Sequence, residues 1–191
     1  VPGPEEVRVQ VHATALNRAD TFQRRGHYPP PEGASSILGL EMAGVVAETG
    51  DAVLDWHEGD RVCSLLAGGG YAEQTVVHKD LLMAVPSGLS LREAAALPEV
   101  FLTAYQALHW LGGLQRGHQV LIHAGASGVG TAAIQLVREA GAHPYITASA
   151  PKHALCRDLG AEVTIDYTSE EFAERMDAVT DGEGVDIILD F

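Results

Sequence analysis

Basic side chains are scarce in this 191-residue chain: 12 Lys and Arg stand against 26 Asp and Glu, for a formal net charge of −14. Nucleic acid and anionic membrane surfaces both require a cationic footprint. The balance therefore argues against either partner and reads as solubility. Cysteine is scarcer still. Cys63 and Cys156 lie far apart with no C-x-x-C spacing, so neither a disulfide framework nor a cysteine zinc cluster can be built from them. Each reads instead as a small hydrophobe, Cys63 in a strand and Cys156 in a helix. No apolar run approaches the roughly 20 residues of a membrane-spanning helix. No signal peptide is visible, which makes the reducing cytoplasm the expected compartment. The chain starts at Val1 rather than Met and stops at Phe191 straight after "VDIILD". That reads as a strand cut at its exit, and the expectation is a fragment of a longer protein.

What is present is 46% hydrophobic, enough for a real core. "EEVRVQVHATAL" (5–16) alternates apolar and polar residues as a strand does. A loop rich in Gly, Pro and Ser follows, with one helical turn in it. "EMAGVVAETG", "DRVCSLL" and "GGGYAEQTVVHKDLLMAVP" are short β-type runs set apart by glycine and aspartate. They predict a small barrel-like β domain over residues 1–90. Within it, Gly68-Gly69-Gly70 has no helix after it and reads as a flexible turn. The style changes at Ser90, a candidate helix cap. "LREAAALPEVFLTAYQALHWLG" is a connecting helical segment (91–114) that Pro98 must break or kink and Gly112-Gly113 must end. From residue 115 four apolar strands alternate with three helices, the pattern of a parallel, doubly wound α/β sheet over 115–191.

The first turn of that sheet reads "HAGASGVG" (123–130). It is G-x-G-x-x-G with Ser127 at the middle position, directly after an apolar strand and directly before a helix. Gly125 suits a tight turn, and Gly130 lets helix and strand approach closely. The N–H groups of Gly128, Val129 and Gly130 open the helix and favour phosphate. Ser127 adds one hydroxymethyl group that can donate a hydrogen bond to it. An NAD site places an acidic residue about 20 positions on, at the end of the next strand. Here that stretch is "TASAPK" (147–152), with no Asp or Glu. Ser149 and Lys152 offer a hydroxyl and a cation that suit a 2′-phosphate, so NADPH is the expected cofactor. The turn is a poor hydrolase elbow, because G-x-S-x-G is not completed.

"GHQVLIHAGASGVGTAAIQLVR" (117–138) resembles the signature of the zinc-free quinone oxidoreductase (zeta-crystallin) branch of the medium-chain dehydrogenases. "NRAD" (17–20), "QRRGHYP" (23–29), "GLEMAGVV" (39–46), "GDRV" (59–62), "GGGYAE" (68–73) and "LPEVFLTAYQAL" (97–108) extend the likeness over nearly the whole chain. Ser127, usually Gly in that branch, resembles the subgroup of p53-inducible quinone oxidoreductases, whose pattern also carries the serine. The resemblance implies a GroES-like N-terminal β-barrel domain, then a Rossmann domain that is incomplete here, and a homodimer in the full-length parent. It implies no metal. Zinc members carry a cysteine where this chain has Asn17 and "GHE" where it has "GLE", and none of the nine histidines forms an H-x₃-H pair with a third ligand nearby.

The resemblance further implies reduction of quinones or other conjugated carbonyls by hydride from NADPH. Asn17 and Tyr28 match the catalytic cleft. The Asn17 amide either orients the nicotinamide carboxamide or hydrogen-bonds the substrate carbonyl. Tyr28 is a proton donor, a wall of the quinone pocket, or an ordinary loop tyrosine. Thr103 matches a threonine near the cofactor, the alternative being a helix hydroxyl bonded to its own backbone. Tyr167 matches a tyrosine beside the 2′-phosphate, or is simply a strand-end aromatic. Two other functions stay open: a zinc-free 2-enoyl or enone reductase, and an NADPH-binding protein with little turnover.

Overall fold

The alternation at the start becomes β1 (Glu6–Ala13), with Val7 and Val9 fully buried and Gln10 exposed. A computed structural model describes all residues, 1–191. After β1 come α1 (Arg18–Arg24), β2 (Glu41–Thr49), β3 (Arg61–Leu65), β4 (Gln74–His78) and β5 (Met83–Ala84). The five strands pair antiparallel in the order β4-β1-β2-β3-β5. The two edge strands are consecutive in the chain, with only residues 79–82 between them. Four residues span at most ~14 Å, less than the width of five flat strands, so the sheet curls, as a barrel-like domain requires. Two register shifts in β1, at Arg8/Val9 and Val11/Ala13, add local bend and twist. Inside lie Val7, Val9, Met42, Val46, Val62, Val77 and Leu82, each stabilising the fold by about 1.5–3 kcal/mol.

Ser90 caps α2 (Leu91–Ala94) reciprocally. Its Oγ accepts the Glu93 N–H at 3.2 Å, and the Glu93 carboxylate accepts the Ser90 N–H at 2.8 Å. Ala94 and Ala95 pack on Ala43 and Cys63, so Cys63 is the small buried strand residue expected. Pro98 does break the helical segment. α3 (Pro98–Tyr105) starts on it, where a missing N–H costs nothing. Gln106–Leu111 then continue as a π turn, which the apolar pattern did not foretell. The chain divides into two units, Val1–Glu99 and Val100–Phe191.

The second unit adds β6 (Gln119–Ile122), α4 (Gly128–Glu139), β7 (His143–Thr147), α5 (His153–Leu159), β8 (Val163–Ile165), α6 (Phe172–Val179) and β9 (Ile187–Leu189). All four strands are parallel, in the order β8-β7-β6-β9. Strand order thus reverses at β6, the point where α/β sheets open a crevice at their carboxyl ends. Successive β6 residues serve opposite faces. Val120 and Ile122 join Ile134, Val137 and Cys156, while Leu121 joins Tyr145, Ile165 and Met176. Helices on both faces explain why these strands read as continuous apolar runs. α4 and α5 end at the glycines read as their stops, Gly141 at φ +71° and Gly160 at φ +118°. This is the expected α/β class, a barrel-like β domain followed by a doubly wound sheet.

Candidate cofactor and substrate site

"HAGAS" alone joins β6 to α4. Its left-handed residue is Ala124, at φ +50°, and not the Gly125 that the spacing had assigned to the tight turn. Gly125 is needed for packing: a Cβ there would lie 2.5 Å from the Ile146 Cβ on β7. Gly130 acts as expected, since its Cβ would lie 2.5 Å from the Ala124 carbonyl oxygen. Ser127 is the N-cap of α4, and its Oγ accepts the Gly130 N–H at 3.0 Å. The hydroxyl oxygen therefore serves the helix, and its proton is what remains to donate. Gly128 and Val129 stand in the first turn, where N–H groups have no intrahelical acceptor. Those two N–H groups, the Ser127 hydroxyl and the helix dipole form a donor set that fits a pyrophosphate. A Cβ at Gly128 would lie 3.0 Å from Val100 Cγ1 on α3. Thr103, one turn along from Val100, shares that face of α3.

The adenosine end follows from strand pairing. Gly125 N–H donates to the Thr147 carbonyl at 2.9 Å, and Thr147 pairs with Ile165. The glycine turn, Ser149, Lys152 and Tyr167 thus line the carboxyl ends of three adjacent strands. Ser149 precedes a 3-10 turn (Ala150–Lys152) without capping it by its side chain; Lys152 and Tyr167 are exposed. Asp166, at the end of β8, was missed because "TIDY" reads only as a strand. Its carboxylate accepts the Thr168 hydroxyl at 2.7 Å and the Thr168 N–H at 3.1 Å. Those bonds, then the Ala150 N–H and nearby His153, hold it below the usual carboxylate range.

The first unit builds a different kind of site. Asn17 is the N-cap residue of α1, and its Nδ2 donates to Glu41 Oε1 at 2.7 Å. Glu41 begins β2, is 1% exposed, and accepts the Glu99 N–H on Oε2 at 3.0 Å. Asp20, 4% exposed, accepts the Asn17 N–H at 2.7 Å and the Tyr71 hydroxyl at 2.8 Å, both on Oδ2. Its Oδ1 has no partner. Glycines make the patch possible. Gly39 sits at φ +108°, and a Cβ on it would lie 2.5 Å from the Tyr71 nitrogen. Gly70 N–H donates to the Gly39 carbonyl at 3.0 Å, and Tyr71 N–H to that of Leu38 at 3.0 Å. The glycine triplet is thus a packed turn, not the flexible one expected. Burial pushes the Glu41 carboxyl up, opposed by the bonds from Glu99 and Asn17, with Asp20 adding to the rise. Burial and then the charges of Glu41 and Asp20 raise Glu99. Burial, then Asp20, raises the Tyr71 hydroxyl.

Tyr28 lies on an exposed loop with no hydrogen bond to Asn17. Glu41, Asp20, Tyr71 and Glu99 were not singled out from the sequence, where "GLE" drew notice only for its missing histidine. No group of three or more His, Cys, Asp and Glu side chains is arranged to hold a metal ion. No helix is long and apolar enough to cross a membrane.

A parallel sheet with a phosphate-ready glycine turn, preceded by an antiparallel β domain, is the two-part architecture of the dehydrogenase type. Residues 3–87 match the alcohol dehydrogenase GroES-like domain and residues 128–191 the zinc-binding dehydrogenase domain. The chain belongs to the medium-chain dehydrogenase/reductase superfamily. It is 44% identical over 187 residues to the phenolphthiocerol synthesis polyketide synthase type I Pks15/1 of Mycobacterium bovis, covering 97% of this chain and 9% of that protein. It matches the CurK enoyl reductase with a TM-score of 0.89 and 35% identity, over 100% of this chain and 60% of that one. It matches Escherichia coli quinone oxidoreductase complexed with NADPH with a TM-score of 0.88 and 33% identity, over 99% of this chain and 58% of that one. The chain thus spans about a tenth of the length of the curated relatives and about three fifths of the solved chains.

Proposed function

We propose that this chain forms the cofactor turn and part of the substrate cleft of a zinc-independent, NADPH-dependent reductase of 2-enoyl thioesters or related enones. The likeness to a polyketide synthase along 97% of the chain carries the choice of enoyl substrate over quinone, and the match to an enoyl reductase agrees with it. When bound, reduced nicotinamide supplies a hydride to the β-carbon of a conjugated carbonyl, and the α-carbon then takes a proton. The protein's part is to hold the reactants. Gly125 and Gly130 set the close packing of the turn, and Gly128, Val129 and Ser127 offer donors to the pyrophosphate. Ser149, Lys152 and Tyr167 receive the 2′-phosphate of the adenosine, the group that separates NADPH from NADH. Thr103 presents a hydroxyl toward the cofactor. Asn17 orients the carboxamide, and Tyr28 lines the substrate cleft.

Quinone reduction is the second reading, favoured by the E. coli neighbour and by the serine-bearing turn. Assaying NADPH oxidation by the whole protein with a 2-enoyl thioester and with 1,2-quinones separates the two. A kcat/KM at least tenfold higher for the thioester is expected; a higher value for the quinones would overturn the enoyl reading. NADPH binding without oxidation by either substrate would instead support a binding protein.

A further inference from the structure

We propose that Glu41 is the positioning residue that dictates which way the Asn17 amide faces. This rests on the reading above, in which Asn17 orients the cofactor carboxamide. The argument is one of donors and acceptors. Glu41 is 1% exposed and receives a donor on each oxygen, Asn17 Nδ2–H at 2.7 Å and Glu99 N–H at 3.0 Å. In its ionised form Glu41 only accepts. The atom that Asn17 turns toward it must then be nitrogen, since an amide oxygen would meet an acceptor. The Glu99 N–H fixes the carboxylate from the other side. Glu99 is the last residue of the first unit and lies in the first turn of α3. The backbone of Asn17 is held independently, its N–H by Asp20 at 2.7 Å. Asp20 therefore fixes where the residue sits, and Glu41 fixes how its amide faces.

Replacing Glu41 by glutamine keeps the size but offers one donor and one acceptor, so either amide orientation at Asn17 becomes possible. With the glutamine oxygen accepting the Glu99 N–H, its amide nitrogen faces Asn17, and both bonds are kept only if the Asn17 amide turns its oxygen toward it.

A double-mutant cycle tests this with two readouts on the whole protein, NADPH dissociation constants by fluorescence titration and melting temperatures without cofactor. Glu41→Gln and Asn17→Ala are each expected to weaken NADPH binding about fivefold to tenfold, the worth of one hydrogen bond. The double variant is expected to bind no more weakly than Asn17→Ala alone. Melting shows a different pattern: the glutamine oxygen still accepts the Glu99 N–H, so Glu41→Gln is expected to leave the melting temperature near that of the parent, whereas a merely structural role would lower it together with NADPH binding. Binding losses that multiply, or unchanged binding in Glu41→Gln, would overturn the proposal. Should Glu41→Gln not fold, Asn17→Asp examines the same contact from its other side, because an acceptor cannot donate to Glu41. A loss equal to that of Asn17→Ala is expected, and wild-type affinity would overturn the proposal. If the unmutated protein binds no NADPH at all, the functional reading fails first; if it binds and reduces normally while the cycle is additive, only the role of Glu41 fails.

Discussion

The two units hold their candidate sites by opposite means. In the second unit the backbone does the work: a turn of five residues, the first N–H groups of one helix and the carboxyl ends of three adjacent strands. In the first unit side chains from distant segments do it, with Asn17, Glu41, Tyr71 and Glu99 brought together by a barrel sheet and by the close pass of Gly39 against Gly70 and Tyr71. A backbone site tolerates side-chain change but not added bulk. A side-chain site tolerates neither the loss of a partner nor the reversal of a donor.

The sharpest way to break the comparison is at Gly130. A Cβ there meets backbone, the Ala124 oxygen at 2.5 Å and the Gly125 carbon at 2.7 Å, and backbone cannot swing aside. Gly130→Val is expected to cost about 3 kcal/mol or more and to abolish NADPH binding, measured by denaturant unfolding and fluorescence titration. Next comes the pair Ser149→Ala with Lys152→Ala, which leaves the turn intact. It is expected to raise the KM for NADPH by about 10- to 100-fold, as for the loss of charge-assisted bonds, with little change for NADH. Equal effects on both cofactors would show that these groups do not read the 2′-phosphate.

A smaller effect is expected at Ser127. Ser127→Ala removes the cap on Gly130 N–H and should destabilise the protein by about 1 kcal/mol. Ser127→Gly should recover part of that, as glycine does at N-caps, and thermal melting without cofactor would show it.

The subtlest test is electrostatic and belongs to the first unit. The folded-state pKa of Glu41 is raised above its ordinary 4.5. The folded state therefore holds its proton longer than the unfolded state does, and stability falls as pH rises through the window above 4.5. Glu41→Gln carries no such group. Its stability relative to the parent should therefore increase as pH rises from that value, and a flat difference across a pH series of melts would contradict the assignment.

The contrast also explains what could be read from the chain alone. The second unit's site is local, so strand, turn and helix stood in one stretch of sequence. Even there the detail was displaced, because the left-handed residue is Ala124 and the Ser127 oxygen is turned to its own helix. Asp166 escaped notice because "TIDY" reads only as a strand, and pairing of Thr147 with Ile165 is what shows it to be near Ser149. The first unit's patch was hidden for a different reason. Its partners are separated by up to 58 positions, as for Glu41 and Glu99, and nothing in "GLE" or "GGGY" announces that two glycines pass within contact of each other. The π turn after Tyr105 was equally silent, since its residues carry the same apolar pattern as an α-helix.

The most direct test of the account follows the hydride itself. With NADPH deuterated at the transferred position and a 2-enoyl thioester as substrate, the product is analysed by NMR for the site of the label. Deuterium on the β-carbon, in step with NADPH oxidation, is the predicted result. NADPH oxidation that leaves the thioester unlabelled and unreduced would contradict it.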